Sequence, residues 1–286
     1  MLNGVMLLWF VLTAAALLFV AIDIRSTPES PVLKWGFVLL TAYTGVFGAF
    51  LYVLGCREPL PGLHERYTAA RWRQTLGSTM HCVAGDGVGI LAGAVLSAIF
   101  VLPRLAETTL EYILGFAFGW TIFQALFMRN SMPGGSYRRA LASTFLPELL
   151  SMNFLMAGMM PTVMVLRRYI EAAENPASPA FWFVMSMGLL VGFVVAYPMN
   201  WWLVANHLKH GMMTVRPAAA VAHDHGAEAM AGDKTGDKTG DKPSDTAMSE
   251  MSMDESRSPR PSISIMTLLS FVVLAAGLTI PSLLMP

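Results

Sequence analysis

Seven stretches of the chain stay apolar for roughly 20 residues or more, the length a helix needs to cross a hydrocarbon core about 30 Å thick. They lie near 2–24, 32–55, 76–102, 108–128, 141–166, 181–206 and 264–284. Turn formers and charges separate them: Arg25–Pro31, Arg57–Arg73, Pro103–Arg104, Arg129–Arg139, Arg167–Pro179 and the long segment 207–263. Each block is far too long for a strand of a soluble core. In lipid the backbone must satisfy its own hydrogen bonds, so the blocks are predicted to be helices. The expected fold is all-α, a polytopic transmembrane helical bundle of about seven spans. Six of them fall in a unit over 1–213, and a seventh transmembrane helix lies in 264–286. The first block has no basic leader and no small-residue cleavage pattern after it, so it reads as a retained span.

Composition agrees with this pattern. Of 286 residues, 55% are hydrophobic and only 13% charged, about half the charge of a soluble domain. The zero formal net charge offers no bulk basic field, so nucleic acid is not an expected partner; the lipid bilayer is. The two cysteines, Cys56 and Cys82, are far apart and support neither a disulfide framework nor a four-cysteine zinc site. With all seven blocks taken as crossings, fourteen Lys and Arg fall on one side and five (Arg25, Lys34, Arg104, Arg167, Arg168) on the other. The positive-inside bias then predicts a cytoplasmic N-terminus and an outside C-terminus.

Residues 214–263 change character. Gly-Asp-Lys-Thr occurs at 232–235 and 236–239, with a near copy at 240–243, and such mixed-charge repeats read as a disordered polar linker. His223 and His225 on one flank, and Met248, Met251 and Met253 on the other, could capture a soft or borderline ion such as copper. The plainer reading is a solvated linker.

Ionisable groups at membrane depth cost roughly 2.5–3.5 kcal/mol at a helix centre, so each needs a reason to be there. In the third block Gly85, Gly89 and Gly93 recur every four residues, a smooth face for close helix approach. Cys82 and Asp86 share a face beside it and His81 is adjacent, which makes these three the leading metal-ligand candidates. The fifth block carries Glu148 and Asn153, with Met152, Met156 and Met160 on one face as either a thioether relay or a gap-filling core stripe. Gln124 and Asn200 fall at a similar depth to Glu148. Their convergence argues for one site; the competing view is that each simply bonds a neighbouring helix.

The run His81-Cys82-x-x-Gly85-Asp86-x-x-Gly89, with Phe181-Trp182 and Pro198-x-Asn200-x-Trp202-Leu203, resembles an uncharacterised bacterial inner-membrane family. Its members carry a domain of unknown function and are sometimes loosely labelled copper-related. The likeness covers roughly 76–213. It implies a multi-pass bundle in the bacterial inner membrane and brings no established activity. In the fifth block the family pattern sets an acidic residue and an Asn close together; here Glu148 and Asn153 stand slightly apart.

Several classes are disfavoured. There are no paired intramembrane histidines for two haems, no phosphate loop, no zinc-protease helix and no arguable Ser-His-Asp set. The expectation is therefore handling or transport of a transition metal, copper being the candidate ion, rather than an enzyme. The alternative is an accessory or assembly subunit of a membrane complex, its glycine faces docking other membrane subunits.

Overall fold

The computed structural model describes residues 2–57, 60, 62–131, 136–209 and 261–284. The expected linker, with His223, His225, Met248, Met251 and Met253, lies outside the described residues apart from its last three. The described chain is helical throughout: α1 Leu2–Asp23, α2 Pro31–Thr44, α3 Val46–Gly55, α4 His64–Thr68, α5 Arg71–Ile99, α6 Arg104–Phe118, α7 Ala125–Ser131, α8 Tyr137–Tyr169, α9 Pro179–Ala205 and α10 Ile263–Leu284. A wide π-turn, Gly119–Gln124, joins α6 to α7, and a single 3₁₀ turn, Glu171–Glu174, precedes α9. Helix starts follow local chemistry. Ser30 and Ser178 cap α2 and α9, each followed by a proline whose missing N–H costs nothing in a first turn.

Five helices are long and apolar enough to cross a membrane: α1, α5, α6 through α7, α8 and α9. The inner ones are α5, α8 and α9, whose most apolar windows are 61% buried against 11% for α1. Most of α1 therefore faces lipid, through side chains such as Leu7, Leu8 and Leu18. Helix α10 lies along α8: Asn153 Nδ2 donates to Ser270 Oγ at 3.1 Å, and Gly277 abuts Ala157.

The expected second span is not a single long helix. Residues 32–55 fold as a hairpin of α2 and α3, reversed at Gly45, whose φ of 60° is left-handed and favours glycine. The turn is pressed against Trp9 and Thr13, halfway along α1. The arms return together, with the Phe37 and Tyr52 rings 5.5 Å apart. At the open neck Tyr52 Oη donates to Asp23 Oδ2 at 2.7 Å and bonds Thr27 Oγ1 at 2.8 Å, while Arg57 Nε reaches Asp23 Oδ2 at 2.9 Å. Beside them, burial and then the Glu29 carboxylate push the Cys56 thiol well above its usual range. Hydropathy could not reveal the reversal, because a run of this length satisfies a crossing equally well. The turn satisfies its own backbone, Gly45 N donating to the Thr41 carbonyl at 2.8 Å.

The hairpin changes which segments share a face. Residues 24–30, 56–57 and 62–70, the start of α5 and the end of α9 now gather at one end of the bundle. Leu76 lies against Gly55, and Tyr197 Oη donates to the Trp72 carbonyl at 3.1 Å. The N-terminus of α1 lies at the other end, where Asn3 and Met6 share a cavity of about 730 Å³ with Tyr169, Ile170 and Ser178. Because α10 runs parallel to α8, its C-terminal end lies there too.

A buried polar network at the centre of the bundle

Helix α5 is where the site begins. Its glycine face is used within the chain: Gly89 lies on the Leu114 carbonyl, Gly93 on the Glu111 backbone, and Gly85 on Phe123 and Gly119. A second glycine face, Gly188 and Gly192 of α9, receives Met159 and Leu155 of α8. The third-block face is thus used, within the chain, for the close helix approach expected of it. The close approach sets the Asp86 carboxylate against Gly119, where any Cβ would overlap Oδ1. Gly119 opens the π-turn, and that wide turn delivers Gln124 inward. Single π-turns within α-helices frequently mark functional positions.

Four elements converge here. The Cys82 thiol donates to Asp86 Oδ2 at 3.1 Å, one turn further along α5. Cys82 Sγ also accepts from Ser151 Oγ of α8 at 3.1 Å, and Ser151 Oγ accepts from Asn200 Nδ2 of α9 at 2.7 Å. Ser78 Oγ donates to Asn200 Oδ1 at 3.4 Å. Glu148 of α8 completes the group: Oε2 accepts from Gln124 Nε2 at 2.8 Å and from Lys209 Nζ at 3.0 Å. Lys209 Nζ donates to Asn200 Oδ1 as well, at 3.1 Å. All of these side chains are buried.

One donor atom each from Cys82, Asp86 and Glu148 lies within 4.8 Å of the other two, a spacing that could hold a metal ion. Asp86 Oδ1, Glu148 Oε1 and Gln124 Oε1 are buried with no hydrogen-bond partner among the described residues. Buried oxygens of that kind call for a further partner. A thiol with two carboxylates is a mixed soft and hard set, suited to a transition metal of borderline softness.

The sequence candidates are distributed unevenly. Cys82, Asp86, Gln124, Glu148 and Asn200 do meet in one network. His81 does not join the three donors. Its ring is fully buried between Phe123 and Phe127, with centroids 5.4 Å from each, and neither nitrogen has a hydrogen-bond partner among the described residues. Successive helical residues point about 100° apart, so the face that presents Cys82 turns His81 toward the π-turn and α7. Asn153 serves a separate contact, accepting from Tyr112 Oη at 2.6 Å and donating to α10. Met152, Met156 and Met160 are all buried. The Met152 methyl lies against Gly115, and Met160 Sδ accepts from Thr108 Oγ1 at 3.9 Å, so two of the three pack toward α6.

Sequence reasoning missed Lys209, Ser151 and Ser78. Lys209 counted only as a loop charge, because it lies four residues beyond the end of α9. The chain turns back there, with His207 at a φ of 56° and Lys209 N donating to the Leu203 carbonyl at 3.3 Å. A lysine that close to a span in so charge-poor a chain was the available signal.

Fold and network together define a polytopic helical membrane protein with an ion pair and a thiol–dicarboxylate group at its centre. Residues 71–209 match the model of a family described as a domain of unknown function (DUF4396), so this part of the chain carries that uncharacterised domain. The match holds every member of the network, from Ser78 to Lys209, its final residue. No curated protein and no solved structure matches the chain.

Proposed function

We propose that the protein handles or transports a transition-metal ion through the Cys82–Asp86–Glu148 group. The observation that carries this reading is the meeting of three metal-competent donors from two helices in a fully buried position. Gln124 Oε1 and the free oxygens of both carboxylates add acceptors. Lys209 serves as the resident counter-cation: its ammonium holds Glu148 while no metal is bound and gives it up when a metal arrives. Copper is the ion first expected, and the carboxylates also suit a zinc-like divalent ion. The metal measured distinguishes the two.

The orientation we propose follows from the hairpin. Arg25 and Lys34 join the other basic loops on one face, leaving only Arg104, Arg167 and Arg168 opposite. The positive-inside bias then makes the basic face cytoplasmic and both termini external. The earlier expectation of a cytoplasmic N-terminus rested on the second block crossing. A bacterial inner membrane is the setting that the family resemblance implies.

The test is metal content of detergent-purified protein, wild type against Cys82→Ser and Glu148→Gln, each checked for an unchanged elution volume. One equivalent more of copper or zinc in wild type than in either variant is the expected result. Equal metal content in all three would end the proposal. A stable complex purifying with all three, at equal metal content, would favour the accessory-subunit reading instead.

A further inference from the structure

Outside the matched domain, a second group of unlike donors sits at the neck of the α2–α3 hairpin. Glu29 follows α1, Cys56 ends α3 and His64 opens α4, so three separate segments supply the side chains. One donor atom from each lies within 4.8 Å of the other two. The Glu29 side chain is 0% exposed, His64 5% and Cys56 fully buried. His64 Nε2 bonds Glu29 Oε1 at 2.7 Å. Its Nδ1 is buried with no hydrogen-bond partner among the described residues. The imidazole and the carboxylate face each other across that contact, so an ion could take the place of the shared proton and bind both.

We infer that Glu29, Cys56 and His64 form a second metal site, for a zinc-like divalent ion, that clamps the neck of the re-entrant hairpin. Sulfur, nitrogen and oxygen donors in a set of three match zinc's usual ligand types and leave a fourth position for water. A doubly charged ion would offset the thiolate and carboxylate that burial otherwise disfavours. A cavity of about 320 Å³ is lined by Glu29 together with Arg25, Pro31 and Lys34. Lys34, whose Nζ donates to the Arg25 carbonyl at 3.1 Å, is a cation in that lining. The role is local: it ties the segment after α1 to the segment after α3, which Tyr52 and Arg57 already hold to Asp23.

This site and the intramembrane one differ in which cysteine they use. The chain has only two cysteines. In Cys82→Ser protein the intramembrane thiol is gone, and Cys56 is the one remaining source of a thiolate–metal bond. Titrating that full-length variant with cobalt(II) should produce a thiolate-to-cobalt charge-transfer band that zinc abolishes by displacement. The band should be absent from Cys56→Ser/Cys82→Ser. Cobalt affinity should fall at least tenfold, on the order of 1.4 kcal/mol, in His64→Ala/Cys82→Ser. Unchanged helical circular dichroism and elution volume would show each variant folded. No band in folded Cys82→Ser protein, or a band indifferent to His64→Ala, would overturn the site.

Discussion

Lys209 and Glu148, 61 positions apart in sequence, form an ion pair of 3.0 Å in which neither side chain is more than 3% exposed. One partner lies mid-helix and the other beyond the end of a different helix. The pair closes the polar centre of the bundle from the end that carries most of the basic residues. Its energetics follow from burial: the attraction offsets a desolvation cost that neither charge could bear alone.

Removing the ammonium should therefore be expensive. Lys209→Met leaves Glu148 with only the Gln124 amide and is expected to destabilise the protein by about 3–5 kcal/mol. The Lys209→Met/Glu148→Gln double variant removes both charges and should recover most of that loss. Thermal unfolding in detergent measures both. A double variant no more stable than the single one would refute the pairing energetics.

Gly119→Ala is predicted to disturb the site through shape alone. The added methyl would overlap Asp86 Oδ1, and forced repacking of this kind costs about 1–3 kcal/mol. Gly4→Ala, with nothing near its Cβ, should be neutral within about 0.5 kcal/mol and serves as the control. Similar melting temperatures for the two variants would contradict the packing described for α5.

Topology gives a direct check of the hairpin. In a Cys56→Ser/Cys82→Ser background, an impermeant thiol reagent applied to spheroplasts should label Asn3→Cys and Ala172→Cys but not Leu63→Cys. Positions 3 and 63 labelled from the same side would mean that residues 32–55 cross the membrane after all.

The reversal at Gly45 should resist substitution. Gly45→Ala must hold a left-handed backbone while its methyl meets Thr13 and Trp9, a combined cost of about 1–3 kcal/mol. Amide exchange across residues 31–57 should rise with the loss of stability. Unchanged protection there would show that the turn does not need glycine.

Much of the centre was legible from spacing. Cys82 and Asp86 are one helical turn apart and do bond each other; Gln124, Glu148 and Asn200 shared a depth and do meet. The glycine repeat of the third block marked the close approach that sets Asp86 on Gly119. The position of His81 was not legible, since adjacency in sequence says nothing about which neighbour fills the next sector of the helix. Nor was Lys209, whose inward turn depends on a backward fold after the end of α9.

Composition and periodicity alone decided that the chain lies in lipid, that it is helical, and that its rare polar side chains must face one another, because hydrocarbon satisfies no hydrogen bond. Tertiary structure decided direction and partnership: whether an apolar run crosses or turns back, and which lysine answers which carboxylate. Hydropathy records the solvent a segment prefers, and that preference is the same for a helix and for a hairpin of two half-helices. Only the packing of Gly45 on α1 and of Lys209 on α8 separates the alternatives.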